Sequence, residues 1–189
     1  MHKFILGSTN EGKAKELNQL LGDKFEIISA PEKLEVVEDA DSFQGNALLK
    51  AKAYYEKFNQ PVVADDSGLV VPAHPEILGI YSARFAPEED EYSGKIQKLI
   101  EYTEKTEDRS AYFVCILCFY LNPEEIFYFE GRLNGQIGKE ARGSGGFGYD
   151  PIFYPDNKDN QSLAELSEWK SVNSHRSKAC REAITFFNS

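Results

Sequence analysis

Residues 62–71 read VVADDSGLVV, and the reading of this stretch decides the fold. Val62, Val63 and Ala64 are strand material, and Gly68 offers the permissive backbone that a sharp turn needs. Asp65 and Asp66 are therefore expected at or just past the C-terminal end of a buried strand, where α/β proteins bind ligands. Two adjacent carboxylates there are costly without a positive partner, and a divalent cation meets that need. Asp, Ser and Gly are equally good turn formers. On this stretch alone, a turn and a metal site are equally supported.

The chain of 189 residues has room for one core, or for one domain with two lobes. Hydrophobic residues at 41% and aromatics at 13% point to a folded globule. No apolar run approaches the length of a membrane span, and the N-terminus lacks a signal-peptide pattern. A soluble, cytoplasmic protein is the expectation. A net charge of −10 argues against binding to nucleic acid or to an acidic membrane. A small polyanion remains compatible if lysines, arginines, helix N-termini or a metal gather around it. Cys115, Cys118 and Cys180 make no disulfide framework. Cys115 and Cys118 fall three apart in a strand pattern, so their thiols face opposite sides and read as buried strand cysteines.

Working outward, Phe4 to Leu6 form a first strand, followed by a polar loop that caps a helix from Glu11 to Leu21. Ser8, Thr9, Asn10, Glu11, Gly12 and Lys13 present backbone N–H groups and an ammonium that suit a phosphate, although no Walker A pattern is present. By itself this piece reads more simply as a helix cap. Phe25 to Ser29 make a second strand, and the acidic segment 31–41 reads as a loop. Ser42 caps a helix over 43–58, with Lys50 on a stripe of small apolar residues where it snorkels or reaches a ligand. A helix is expected over 93–105. Strands over 112–121 and 126–133 pair as an antiparallel hairpin. In the glycine-rich span 141–153, Phe147 and Tyr149 offer aromatic faces for a flat base. A last helix begins near Ser174. His175 and Arg176 lie in its first turn, where cations oppose the helix dipole unless an acceptor-rich ligand lies there.

Four pieces, STNEGK at 8–13, ADDSGL at 64–69, GGFGYD at 145–150 and KSVNSHR at 170–176, together resemble the inosine triphosphate pyrophosphatase family. FQGNALLKA at 43–51 and GIYSAR at 79–84 are similar to that family as well. The resemblance implies an α/β fold, a single domain over residues 1–189 whose central mixed sheet is flanked by helices, with two lobes around a substrate cleft. It also implies Mg²⁺-dependent hydrolysis of ITP, dITP or XTP to the monophosphate and pyrophosphate, and a homodimer. By motif position, Ser8 to Lys13 and Lys50 would hold the triphosphate. Asp66 would be general base and metal ligand, Ser67 a substrate contact and Glu38 the second metal carboxylate, with Glu35 and Asp39 as competitors. Phe147, Gly148, Tyr149, Asp150, Lys170, His175 and Arg176 would bind base and sugar, the last two matching a 6-oxo group with donors. The chain departs from the family at Gly45, where Glu is usual, and at STN, where TGN is common. A pyrophosphatase for pyrimidine or modified nucleotides and a non-catalytic nucleotide sensor are the rival readings.

Overall fold

The structure, a computed structural model, describes residues 1–89 and 91–189. Asp90, in the acidic run after Pro87, lies outside them. The elements are β1 (His2–Leu6), α1 (Glu11–Leu21), β2 (Phe25–Ser29), α2 (Phe43–Phe58), β3 (Val62–Val70) and α3 (Tyr92–Tyr102). There follow β4 (Ser110–Asn122), β5 (Glu125–Ile137), β6 (Phe153–Pro155), α4 (Ser167–Asn173) and α5 (His175–Phe187). The strands form a six-stranded sheet in the order β2-β1-β3-β4-β5-β6. It is mixed: β1 runs parallel to β2 and β3, and β6 antiparallel to β5. Among the described residues, no helix is long and apolar enough to cross a membrane.

β3 corrects the first expectation. The strand does not end at the aspartates but continues through Asp65, Asp66, Ser67 and Gly68, and Gly68 takes no left-handed φ. Turn-like residues stay extended here because the buried Asp65 carboxylate finds two cations at strand depth. Lys13 Nζ lies 2.6 Å from Oδ1, and an Arg176 guanidinium nitrogen 3.1 Å from Oδ2.

The chain divides into two compact units. The first comprises residues 1–67, 115–131 and 175–189. Its core joins Phe4 and Leu6 of β1, Leu17 and Leu21 of α1, Leu117 and Phe119 of β4, and Ala179 and Ala183 of α5. Phe4, Phe25 and Phe187 meet Phe119 edge-on or tilted, at centroid distances of 5.0–6.1 Å. β2 lies at the edge of the sheet, where Asn18 of α1 caps it. The Asn18 side chain accepts from Ile27 N (2.8 Å) and donates to Ile27 O (2.6 Å). That satisfies edge groups that would otherwise invite pairing with another chain. α2 starts where Ser42 Oγ accepts from Gly45 N (3.1 Å) and stops at Asn59, left-handed with φ 50°. The departure at Gly45 has a steric reason: a Cβ there would sit 2.6 Å from the Ala40 Cβ.

The second unit comprises residues 68–114 and 132–174, around Leu69, Leu99, Phe113, Ile152, Phe153 and Leu163. Arg109 ties the end of α3 to the end of β5, donating to Thr103 O (2.5 Å), Ile137 O (2.8 Å) and Gly138 O (2.7 Å). α3 stops at Tyr102 rather than Lys105, as Thr103 Oγ1 turns back to Leu99 O. β5 outruns its expected end because β6 pairs with it from Gly135 to Ile137. Neither β6 nor α4 was expected from the sequence.

Asn18→Ala is expected to lower stability by about 1–2 kcal/mol, the scale of hydrogen bonds lost at a partly wet edge. Thermal denaturation checks this.

Candidate active site

In the first unit, the loop after β1 enters α1 through Asn10, whose side chain accepts from Lys13 N (3.0 Å). Among the described residues, the Thr9, Glu11 and Gly12 N–H groups have no acceptor. The Thr9 N–H opens onto a pocket of about 320 Å³ lined by Gly7, Ser8, Thr9, Lys13, Glu38, Lys50, Tyr54 and Asp65, among others. Free N–H groups and lysines around one cavity suit a polyanion.

The adjacent aspartates have opposite environments, because neighbouring strand residues face opposite sides. Asp65 is buried, and burial alone would raise its pKa. Lys13 and Arg176 outweigh that and hold the carboxyl well below the usual carboxylate range. Arg176, itself buried, also reaches Glu16 at 3.3 Å, and its Nε–H has no acceptor among the described residues.

Asp66 moves the other way. Burial pushes its pKa up, with Glu38 and Asp65 adding to the rise, against relief from Lys50 and the Asn46 amide. Oδ1 accepts from Ser67 N (3.0 Å), whereas Oδ2 is buried with no hydrogen-bond partner among the described residues. An orphaned carboxylate oxygen marks a place for a proton or a cation. Glu38 pairs with Lys50 Nζ at 2.7 Å, while its competitor Glu35 is largely exposed and paired with Lys33. Among the described residues, no three or more His, Cys, Asp or Glu side chains gather as a ready-made metal cage. One or two carboxylates completed by substrate oxygens and water fit Mg²⁺, which rarely uses an all-protein cage.

In the second unit, Phe147 is exposed, and its N–H donates to Asp150 Oδ2 (2.8 Å). Gly146 (φ +74°) permits this, since a Cβ there would strike the Asp150 carboxylate. Lys170 of α4 ion-pairs with buried Asp150, and its ammonium lies 4.4 Å from the Phe147 ring centroid. Gly148, at φ +63°, carries the chain on to Tyr149. Tyr149 does not present a face as expected. It is buried, donates to Ser82 O (2.9 Å) and packs edge-on against Tyr92. His175 is also buried, at the first position of α5 in the other unit.

Sequence reasoning missed Glu16, Asn46 and Tyr54. Asn46 carried a signal, as a polar residue at a core-facing helix position, and so did Tyr54, which the helical spacing places on the same face as Lys50. The cysteines are buried and free as expected, and burial pushes each thiol up, Cys118 to about 12.

Residues 4–186 match the Ham1 family. The chain belongs to the Ham1 family. It is 42% identical to a dITP/XTP pyrophosphatase of Aquifex aeolicus, covering 96% of this chain and 95% of that one. A second dITP/XTP pyrophosphatase, from Porphyromonas gingivalis, is 37% identical over 98% of this chain and 97% of its own. The solved Ham1 protein of Staphylococcus aureus superposes with a TM-score of 0.90 at 35% identity, covering 98% of both chains. The HAM1 protein of Coxiella burnetii gives 0.91 at 33% identity, over 100% of this chain and 99% of that one. The resemblance read from the motifs is borne out, and so is the α/β class.

The two aspartates should respond oppositely to substitution. Asp65→Asn strands the buried Arg176 guanidinium and the partly buried Lys13 ammonium and is expected to cost about 3–5 kcal/mol. A carboxyl held below its unfolded pKa stabilises the fold above that value, about 3.9, and the contribution fades as pH falls toward the native pKa. Asp66 has a raised pKa, so its stabilising contribution exists only below the unfolded value and is lost as pH rises through the native one. Asp66→Asn is therefore expected to raise Tm at pH 7, on the order of 2 °C. Calorimetry of both variants from pH 2 to pH 8 reads both signs.

Proposed function

We propose that this chain hydrolyses the non-canonical purine nucleoside triphosphates ITP, dITP and XTP to the nucleoside monophosphate and pyrophosphate, clearing deaminated purines from the nucleotide pool. The observation that carries the reading is the half-buried Asp66, whose Oδ2 is buried and unpartnered among the described residues, in a chain matched end to end by dITP/XTP pyrophosphatases.

The triphosphate end is taken by Ser8, Thr9, Asn10, Glu11, Gly12 and Lys13 together with Lys50, through backbone N–H groups and two ammonium charges. Glu38 and Asp66 hold Mg²⁺, which when bound neutralises charge on the phosphate oxygens. Asp66 orients a water for in-line attack on the α-phosphorus and accepts its proton at Oδ2. The α–β bridging oxygen leaves with pyrophosphate. A carboxylate whose burial raises its proton affinity is better matched to that transfer than the acid-shifted Asp65. Ser67 contacts the substrate beside it.

For the base and sugar, Phe147 supplies the stacking ring, while Gly148, Tyr149, Asp150 and Lys170 shape and hold its loop. Stacking is indifferent to which purine is bound, so selection falls to donors that meet a 6-oxo group. His175 and the Arg176 Nε–H serve there, and the 6-amino group of adenine offers them no acceptor. Residues 1–189 act as one catalytic domain, in the cytoplasm and as a homodimer.

Pyrophosphate release is expected with ITP, dITP and XTP in the presence of Mg²⁺, far above that with ATP or dUTP, and is expected to vanish in EDTA. A preference for dUTP overturns the purine assignment, and binding without turnover overturns catalysis. Asp66→Asn is expected to lose at least ~100-fold in kcat. Sedimentation velocity reads the dimer.

A further inference from the structure

The segment 31–41 contains no helix or strand, yet one face of α2 holds it in place. Asn46, Lys50 and Tyr54 recur at four-residue spacing and so stack along that face. Asn46 Oδ1 accepts from Ala40 N at 3.0 Å. Lys50 Nζ meets Glu38 Oε2 at 2.7 Å. Tyr54 Oη accepts from Leu34 N at 3.0 Å. Three rungs with buried or half-buried side chains therefore lace the segment antiparallel to the helix, at residues 40, 38 and 34, and an exposed Lys57–Glu32 ion pair (2.8 Å) continues the run. The outer rungs are neutral, and their side chains are almost wholly buried, 1% exposed at Asn46 and 2% at Tyr54. The middle rung is charged, and it lines the pocket together with the Tyr54–Leu34 rung.

Burying an amide and a phenol hydroxyl is costly unless each makes its hydrogen bond, so these rungs fix where the segment runs. The middle rung is different. If Glu38 holds a cation and Lys50 holds phosphate, as in the function proposed above, their mutual ion pair must open when substrate arrives. A segment laced only by that pair would be released at the moment Glu38 is needed.

We propose that Asn46 and Tyr54 are positioning residues of the reaction. Their neutral rungs keep Glu38 at the pocket while the Lys50–Glu38 rung between them exchanges partners. Tyr54 also lines the pocket and Asn46 also relieves the Asp66 carboxylate, but the role proposed here is exerted through Glu38. The same ladder accounts for Gly45, where a Cβ would push against Ala40 and unseat the first rung.

The inference rests on the proposed activity, and a double-mutant cycle separates the two. Wild-type turnover of ITP tests the activity. Tyr54→Phe removes one hydroxyl while keeping the ring in the core, and is expected to lower kcat/KM for ITP about 5–10-fold. In a Glu38→Gln background the same change is expected to cost less than about 2-fold, because the group it positions has gone. Without ligand, amide exchange at Leu34 and Ala40 should speed up in Tyr54→Phe and Asn46→Ala respectively, with exchange in the core of β4 unchanged. Ser42→Ala, which weakens the same helix at its cap, serves as a control for a merely structural role and is expected to add independently to Glu38→Gln. Full additivity of Tyr54→Phe with Glu38→Gln, or unchanged exchange at Leu34 and Ala40, overturns the proposal even if the wild type is active.

Discussion

The first unit depends on a single buried carboxylate. Asp65 sits inside β3 and is shared by Lys13, from the first turn of α1, and Arg176, from the first turn of α5. An isolated charge at that depth would be untenable, and two cations at one carboxylate make it a tie between three elements distant in sequence. It sets the entry of α1 after the loop at residues 7–10, and so the aim of that helix's free N–H groups. It also lets a strand continue through two aspartates, a serine and a glycine. Because Asp65 takes up both cations, its neighbour on the opposite face is left with a carboxylate oxygen that has no partner among the described residues.

This division of labour explains how two identical side chains in sequence serve different ends. Asp65 gives up reactivity for structure, with its proton affinity suppressed by Lys13 and Arg176. Asp66, the proposed base, has its charge penalised by burial and only partly relieved by Lys50 and Asn46. Stability given up at a working site is common where a group must be poised for proton transfer. The segment 31–41 is an irregular run held by side chains of α2 rather than by backbone pairing, which is what the proposed exchange of partners at Glu38 requires.

What the sequence disclosed follows from how local each cause is. α1 and α2 were legible to the residue at their starts, because Asn10 and Ser42 are caps and the apolar spacing behind them is helical. The Ham1 membership was legible because its motifs carry chemistry in a fixed order. β3 was misjudged at Gly68, since Asp-Ser-Gly is turn chemistry locally and its neutralisation comes from Arg176, 111 positions away. α4 and β6 are short and exist by tertiary contact, the first presenting Lys170 to Asp150 and the second pairing along β5. Tyr149 looked like a stacking face because sequence cannot tell an exposed ring from one pinned to Ser82. Of the proposed phosphate end, the loop and both lysines were visible in the sequence. The partners of those lysines were not.

The central claim is that Asp65 and Asp66 differ in proton affinity despite adjacency. Carboxyl-carbon NMR titration of the two aspartates, assigned through the Asp65→Asn and Asp66→Asn variants, tests it directly. The account predicts that Asp65 stays ionised through the acid range while Asp66 takes up its proton above the ordinary aspartate value of about 3.9. Coincident titrations, or Asp65 protonating first, would contradict it.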